Sequence, residues 1–226
     1  MLKYGACRLL GILEPGDRAL IEYDPTAPVE LFLWRDIVPQ IVDESSLLVV
    51  DWYGIGDVLF RNYLRKAPGK EYQFLIEAKK KVYVFKVGPG HPSYGQKIGE
   101  EKVYTDPENF MRAYYWMIRK AVNLPQKPRH LLILGLAEYV YFAGPQGLQN
   151  IIQVTSAIPV EDWITIVPVN RKVLSAAELG ILEDIASHIA EFSGEEMRIL
   201  KGGRGSEERG EGAPAGQEGK EVPCDR

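Results

Sequence analysis

The stretch Ser46–Trp52, SLLVVDW, constrains this chain most. It is apolar without interruption up to Asp51 and far shorter than the ~20 residues that cross a bilayer. A run that does not alternate suits a strand buried on both faces. Such strands belong to parallel sheets with helices packed on either side. Arg129–Leu136, RHLLILGL, is a second run of this kind. Lys81–Val87, KVYVFKV, is β-branched and aromatic and predicts another strand. Arg18–Tyr23 and Trp163–Val169 complete the set, with Met197–Leu200 as a short last strand.

Helical patterns fall between these strands. Leu9, Leu10, Ile12 and Leu13 suggest a short helix or turn. Pro28 suits a first helical position, where its missing N–H would be unpaired anyway. Leu31, Phe32, Trp34, Ile37 and Val38 then give a broad apolar face, and Pro39 lies near the end of that helix or kinks it. Gly54–Gly56 reads as a turn, with Asp57 capping a helix over about Val58–Arg65. Tyr72–Ile76 fits helix or strand. Thr105-Asp106-Pro107-Glu108 starts a helix that runs to about Val122. Gly144–Ala157 predicts a further helix. Ser175–Phe192 predicts the last, with Leu179, Leu182, Ile185, Ala186 and Ile189 on one stripe. Gly88–Glu101 reads as a Gly/Pro-rich loop.

Strands alternating with helices predict an α/β fold, a three-layer mostly parallel sheet with helices on both faces. Residues 1–201 form that domain. Residues 202–226 are a Gly/Glu-rich tail with almost no large apolar residue and are expected to be disordered. The 226 residues are 46% hydrophobic, enough for one sizeable core. A formal net charge of -4 argues against a dedicated nucleic-acid binder. The opening segment reaches acidic residues and Pro15 too soon for a signal peptide, and no membrane span is expected. Cys7 and Cys224, at opposite ends, build neither a disulfide framework nor a CxxC metal motif. A cytoplasmic location is the simplest expectation.

The order of pieces resembles the KaiC branch of RecA-type ATPases. LLGILEPGDRALIEYDPTAPVELFLW is similar to that family's opening turn, first strand and phosphate-binding loop. SLLVVDW resembles its second strand, which ends in an acid, and RHLLILGL lies where the Walker B strand is expected. WITIVPVNRKVL with LGILEDIASHIAEF resembles a late strand and helix. MRILKGGRG resembles the closing strand and its Lys-x-Arg-Gly element, with one extra residue between Lys201 and Arg204. The likeness covers about residues 5–205. The chain is also similar to a small group of uncharacterised proteins from hyperthermophilic archaea, a likeness that implies no activity.

The departures bear on function. The family's loop needs G-x-x-x-x-G-K-[ST], whose backbone N–H groups wrap phosphates, whose lysine offsets charge and whose hydroxyl holds Mg²⁺. No such motif occurs in this sequence. The corresponding loop has neither Gly nor Lys. Pro25 and Pro28 each remove a donor, and Glu22, Asp24 and Glu30 bring negative charge to a helix start that would otherwise attract an anion. The Walker B aspartate position is Gly135, with Glu138 displaced by three residues. The acid that would polarise water resembles Asp51, which as a strand-end acid can instead cap the next turn.

Other candidates have plain alternatives. The Gly88–Gly99 loop, with Lys97 and His91, could cradle phosphate, but it holds Pro89 and Pro92 and reads better as a surface loop. His130 and His188 fit no metal spacing. Lys79, Lys80, Lys81, Lys86, Lys97 and Lys102 could bind an acidic partner, or form a solvated face beside Glu77, Glu100 and Glu101. FMRAYYWMIRK offers one core side, with any exposed aromatics left for a protein interface.

The resulting expectation is a non-catalytic KaiC/RecA-like domain that acts by protein–protein contact, with itself or with a KaiC-family homologue. No catalytic, cofactor-binding or metal residue is assigned, and no nucleotide is expected to bind. The alternative is a nucleotide or phosphoester hydrolase with a non-standard site near Asp51, the Gly88–Gly99 loop and His91. It requires those groups to converge at the carboxyl ends of the strands.

Overall fold

A computed structural model describes residues 2–69, 76–157, 162–194 and 196–202. The ambiguous Tyr72–Ile76 stretch falls largely outside the described residues, as do Arg204 and most of the expected tail.

Eight strands form one sheet in the order β4-β3-β2-β5-β6-β1-β7-β8. They are β1 (Arg18–Tyr23), β2 (Leu47–Trp52), β3 (Val82–Val87), β4 (Gln96–Glu101), β5 (His130–Leu134), β6 (Ile164–Asn170), β7 (His188–Ser193) and β8 (Glu196–Lys201). All neighbours pair in parallel except β7 and β8, which are antiparallel. β2 and β3 are buried along their whole length. Side chains alternate between two separate cores because successive Cβ atoms point to opposite faces. Val49, Val84 and Ile166 face one core, while Val50, Phe85 and Leu131 face the other. The continuous apolar runs therefore serve two interfaces at once.

The first core is covered by α1 (Leu2–Ile12), a long α2 and α3 (Ile55–Lys66). Helix α2 comprises Val29–Leu31, a π-helical stretch Phe32–Ile37, and Val38–Glu44. Pro39 explains the stretch. In α geometry its ring would strike the carbonyl four residues back, and it has no N–H to donate. Opening the turn immediately before it, with Val38 N–H bonding to Leu33 C=O, avoids the clash without ending the helix. Pro28 sits just outside the first turn as its cap.

The second core lies under α4 (Pro107–Val122), α5 (Leu136–Ala143), α6 (Pro145–Ala157) and α7 (Ala176–Ile185). Asp106 caps α4 by accepting the Asn109 N–H, as its sequence predicts. The expected Gly144–Ala157 helix is the second of two, separated from α5 by Gly144 at φ 62°.

Two expectations are corrected. The Ser175–Phe192 helix starts as predicted, with a Ser175–Glu178 capping box, but ends at Ile185. His188–Ser193 is a strand between β1 and β8. Ser187 starts the pairing, donating its N–H to Arg18 C=O and accepting the Arg18 N–H on its hydroxyl. Such long-range pairing overrides a helical stripe in the sequence. The Gly88–Glu101 loop is likewise shorter than predicted, since Gln96–Glu101 forms edge strand β4. Its outer side is solvated, so it shows no apolar pattern. No described helix is long and apolar enough to cross a membrane.

Candidate functional site

β2 is followed by a connection to β3 on one side, and β5 by a connection to β6 on the other. This reversal leaves a crevice at their carboxyl ends, where open α/β sheets bind ligands. Asp51 and Gly135 stand at this point.

Asp51 is fully buried. Its Oδ1 accepts the Gly56 N–H at 2.9 Å, capping the N-terminus of α3. Its Oδ2 accepts Lys86 Nζ at 2.9 Å and the Tyr94 hydroxyl at 3.0 Å. Lys86, at the end of β3, is also fully buried, and its Nζ lies 3.7 Å from Asp57 Oδ2. Asp57 does not cap α3 as predicted. It accepts the Ser93 N–H and hydroxyl, each at 2.8 Å. Two positive-φ glycines, Gly54 and Gly90, wall the ammonium group. A Cβ on Gly54 would approach Nζ to 3.4 Å.

Tyr94 locks the 88–95 loop over this network. Its ring packs against Trp34 of α2 and Phe60 of α3, with centroids 4.7 and 5.8 Å away. Burial first, and the Asp51 charge second, push its phenol well above the usual range, so it is a permanent donor. The loop and Asp51 therefore converge, as the hydrolase alternative requires, but they close over one another and leave the carboxylate away from solvent. His91 is exposed, whereas Asp51 is fully buried.

The loop after β1 is closed by charge pairing. Asp24 Oδ1 accepts the Thr26 N–H and hydroxyl, and its Oδ2 lies 3.4 Å from Arg171. The Thr26 backbone contact, opposed by burial, lowers the Asp24 carboxyl below its usual value. Arg171 also pairs with Glu191. Glu30 is buried and bonded to Lys66. Glu22 points to the second core, toward Glu183. Burial, then the hydrogen bond and charge of Glu183, push its carboxyl up to about 7. The three acids thus do not combine their charge at the helix start as the sequence suggests: one is neutralised by a lysine, one by an arginine, and one faces away.

Gly135 holds φ 81°, and a Cβ there would meet the Trp52 carbonyl at 2.7 Å. A side chain here would meet both a left-handed backbone and a close carbonyl, which favours glycine. Glu138, in the first turn of α5, is half-buried, and burial raises its carboxyl pKa.

The crevice is edged by aromatic rings. Tyr53 adopts φ 56°, and every other positive-φ residue described is glycine. Its ring meets Phe142 edge-on at 5.5 Å, and Phe142 meets Tyr141 at 5.3 Å. Phe142 is 68% exposed, Tyr141 62% and Tyr53 36%. On α4, Phe110 and Met117 face the core while Tyr115 and Trp116 face out, with Lys120 over the Trp116 ring.

The remaining candidates have contacts of their own within the fold. Lys80 pairs with Glu77, Lys81 binds the Val42 carbonyl, Lys97 pairs with Glu100, and Lys86 is buried, so the central lysines do not form one basic face. His130 Nδ1 lies 3.4 Å from Ser45 Oγ, and burial lowers its pKa. His188 lies on β7 with its Nδ1 3.0 Å from Ser187 Oγ. Sequence reasoning missed Lys86 and Tyr94 as partners of Asp51. The available signal was the position of Lys86 within an otherwise fully apolar strand.

Two solved structures from Pyrococcus horikoshii OT3 share this architecture. The KaiC-like protein PH0186 superposes with a TM-score of 0.53 at 14% identity, over 84% of this chain and 81% of that one. The protein described as a structural study of PH0250 superposes with a TM-score of 0.71 at 20% identity, over 89% and 94%. The chain thus has the KaiC/RecA-like fold. No curated protein matches it. The family described as "Pyrococcus protein of unknown function, DUF257" matches residues 8–202, and the chain belongs to it.

Proposed function

We propose that this domain works by contact with another protein, a second copy or a KaiC-family homologue, and not by nucleotide turnover. The observation that carries this reading is the Tyr53–Phe142–Tyr141 cluster at the carboxyl edge of the sheet. Large aromatics exposed together are the composition of interface cores, and the strained Tyr53 backbone holds one of them outward. The lack of a phosphate-binding motif, the charge-paired loop after β1 and the enclosed Asp51 support it further. Sedimentation of the wild type and of Phe142→Ser, alone and with a purified KaiC-family homologue, tests this reading. A complex that the substitution abolishes is expected. A wild-type chain that stays monomeric and binds no homologue would contradict it.

A second reading, a nucleotide or phosphoester hydrolase, is favoured by one observation: the 88–95 loop does reach Asp51 and Lys86. It requires the loop to open. Turnover of a nucleotide or phosphoester that is lost on Asp51→Asn would establish it.

A further inference from the structure

The helical layer over the second core has a gap. Ile133 and Val167, in the middle of strands β5 and β6, are only half-buried although their strands lie at the centre of the sheet. Above them, between α6 and α7, lies a cavity of about 70 Å³. Leu20, Val154, Leu182 and Ile185 form much of its apolar wall.

Its polar groups cluster. Arg18 and Thr165 are register partners on β1 and β6, at the amino ends of the strands, and Tyr114 of α4 lines the same cavity. One step along the strands, Leu20 pairs with Val167 and the lining turns apolar. The Thr165 hydroxyl is buried without a partner among the described residues. Arg18 donates to the Thr155 carbonyl at 3.0 Å but has no carboxylate partner among the described residues. Its neighbour Asp17 is engaged instead by Ser187 and His188. Burial pushes the Tyr114 phenol up to about 12 despite the nearby Arg18 charge, so it remains a donor.

A guanidinium, a phenol and an aliphatic hydroxyl at one end of an apolar slot match a ligand whose head only accepts hydrogen bonds and carries negative charge. The volume corresponds to about five water-sized positions, which limits the tail to a few carbons. We infer that this cavity binds a short-chain aliphatic monocarboxylate, with the carboxylate on Arg18, Thr165 and Tyr114 and the tail between Leu182 and Val167. This site lies away from the aromatic cluster and does not depend on the reading given above. A water molecule alone would satisfy Thr165 but would leave the guanidinium without a carboxylate partner among the described residues.

The full chain titrated with sodium valerate and followed by amide and methyl NMR tests the assignment. Saturable shifts centred on Leu20, Val167 and Leu182 are expected. Pentan-1-ol, which keeps the tail but lacks the charge, is expected to bind about tenfold more weakly, and Arg18→Gln to weaken valerate by a similar factor. Thr165→Val removes one donor and an unpaired buried hydroxyl, so weaker valerate binding is expected with no loss of thermal stability. Absence of saturable shifts, equal binding of pentan-1-ol, or valerate affinity unchanged in both variants would overturn the inference.

Discussion

Lys86 Nζ and Asp51 Oδ2 lie 2.9 Å apart, and neither side chain reaches solvent. Removing one partner of such a pair leaves the other charge buried alone. Lys86→Met is therefore expected to destabilise the fold by about 3–5 kcal/mol, read as a lower denaturant midpoint. Adding Asp51→Asn should recover much of that loss, because the fully buried carboxylate charge left without Lys86 is removed. A double variant less stable than either single one would argue against a closed ion pair.

Gly135 is expected to resist replacement. Gly135→Asp, which places an acid where the KaiC resemblance would put the Walker B aspartate, combines a left-handed backbone with a close approach to the Trp52 carbonyl. A loss of at least about 1 kcal/mol, with no nucleotide binding gained, is expected in chemical denaturation and titration.

Glu22 gives a pH dependence. Its folded-state pKa of about 7 lies above the ordinary 4.5. The folded chain therefore holds this proton more tightly than the unfolded chain, and its contribution to stability falls as pH rises between those values. Above about 7 the contribution is flat. Glu22→Gln should flatten the slope between pH 4.5 and 7 and make the protein more stable than wild type at alkaline pH. Denaturant midpoints measured across that range check it.

Tyr53 stores strain at the crevice edge. A non-glycine residue at φ 56° costs about 1–3 kcal/mol. Tyr53→Gly is expected to keep the fold at equal or higher stability while weakening any complex that Phe142→Ser also weakens. Parallel thermal melts and sedimentation runs would check it.

The main architecture was legible because burial dictates residue type on both faces of a parallel strand. SLLVVDW and RHLLILGL could hardly fold otherwise, and β1 spans the predicted residues. β4 escaped because an edge strand needs no apolar alternation. β7 escaped because Ile185, Ala186 and Ile189 satisfy a helical stripe while the pairing that decides the matter is with Arg18–Tyr23, remote in sequence. At the candidate site, the capping role of Asp51 was readable from its place before a glycine turn. Of its partners, Lys86 left one signal, a lysine inside an otherwise apolar strand. Tyr94 left none, because it is fixed by Trp34 and Phe60, which only the tertiary fold brings near.

Under the proposed function, a KaiC-like fold is kept without a working nucleotide site. Isothermal titration of the full chain with ATP and Mg²⁺, then ADP, tests it most directly. No saturable heat is expected up to millimolar nucleotide. Saturable binding that disappears on Asp51→Asn would contradict it and would show that the 88–95 loop opens to admit a ligand.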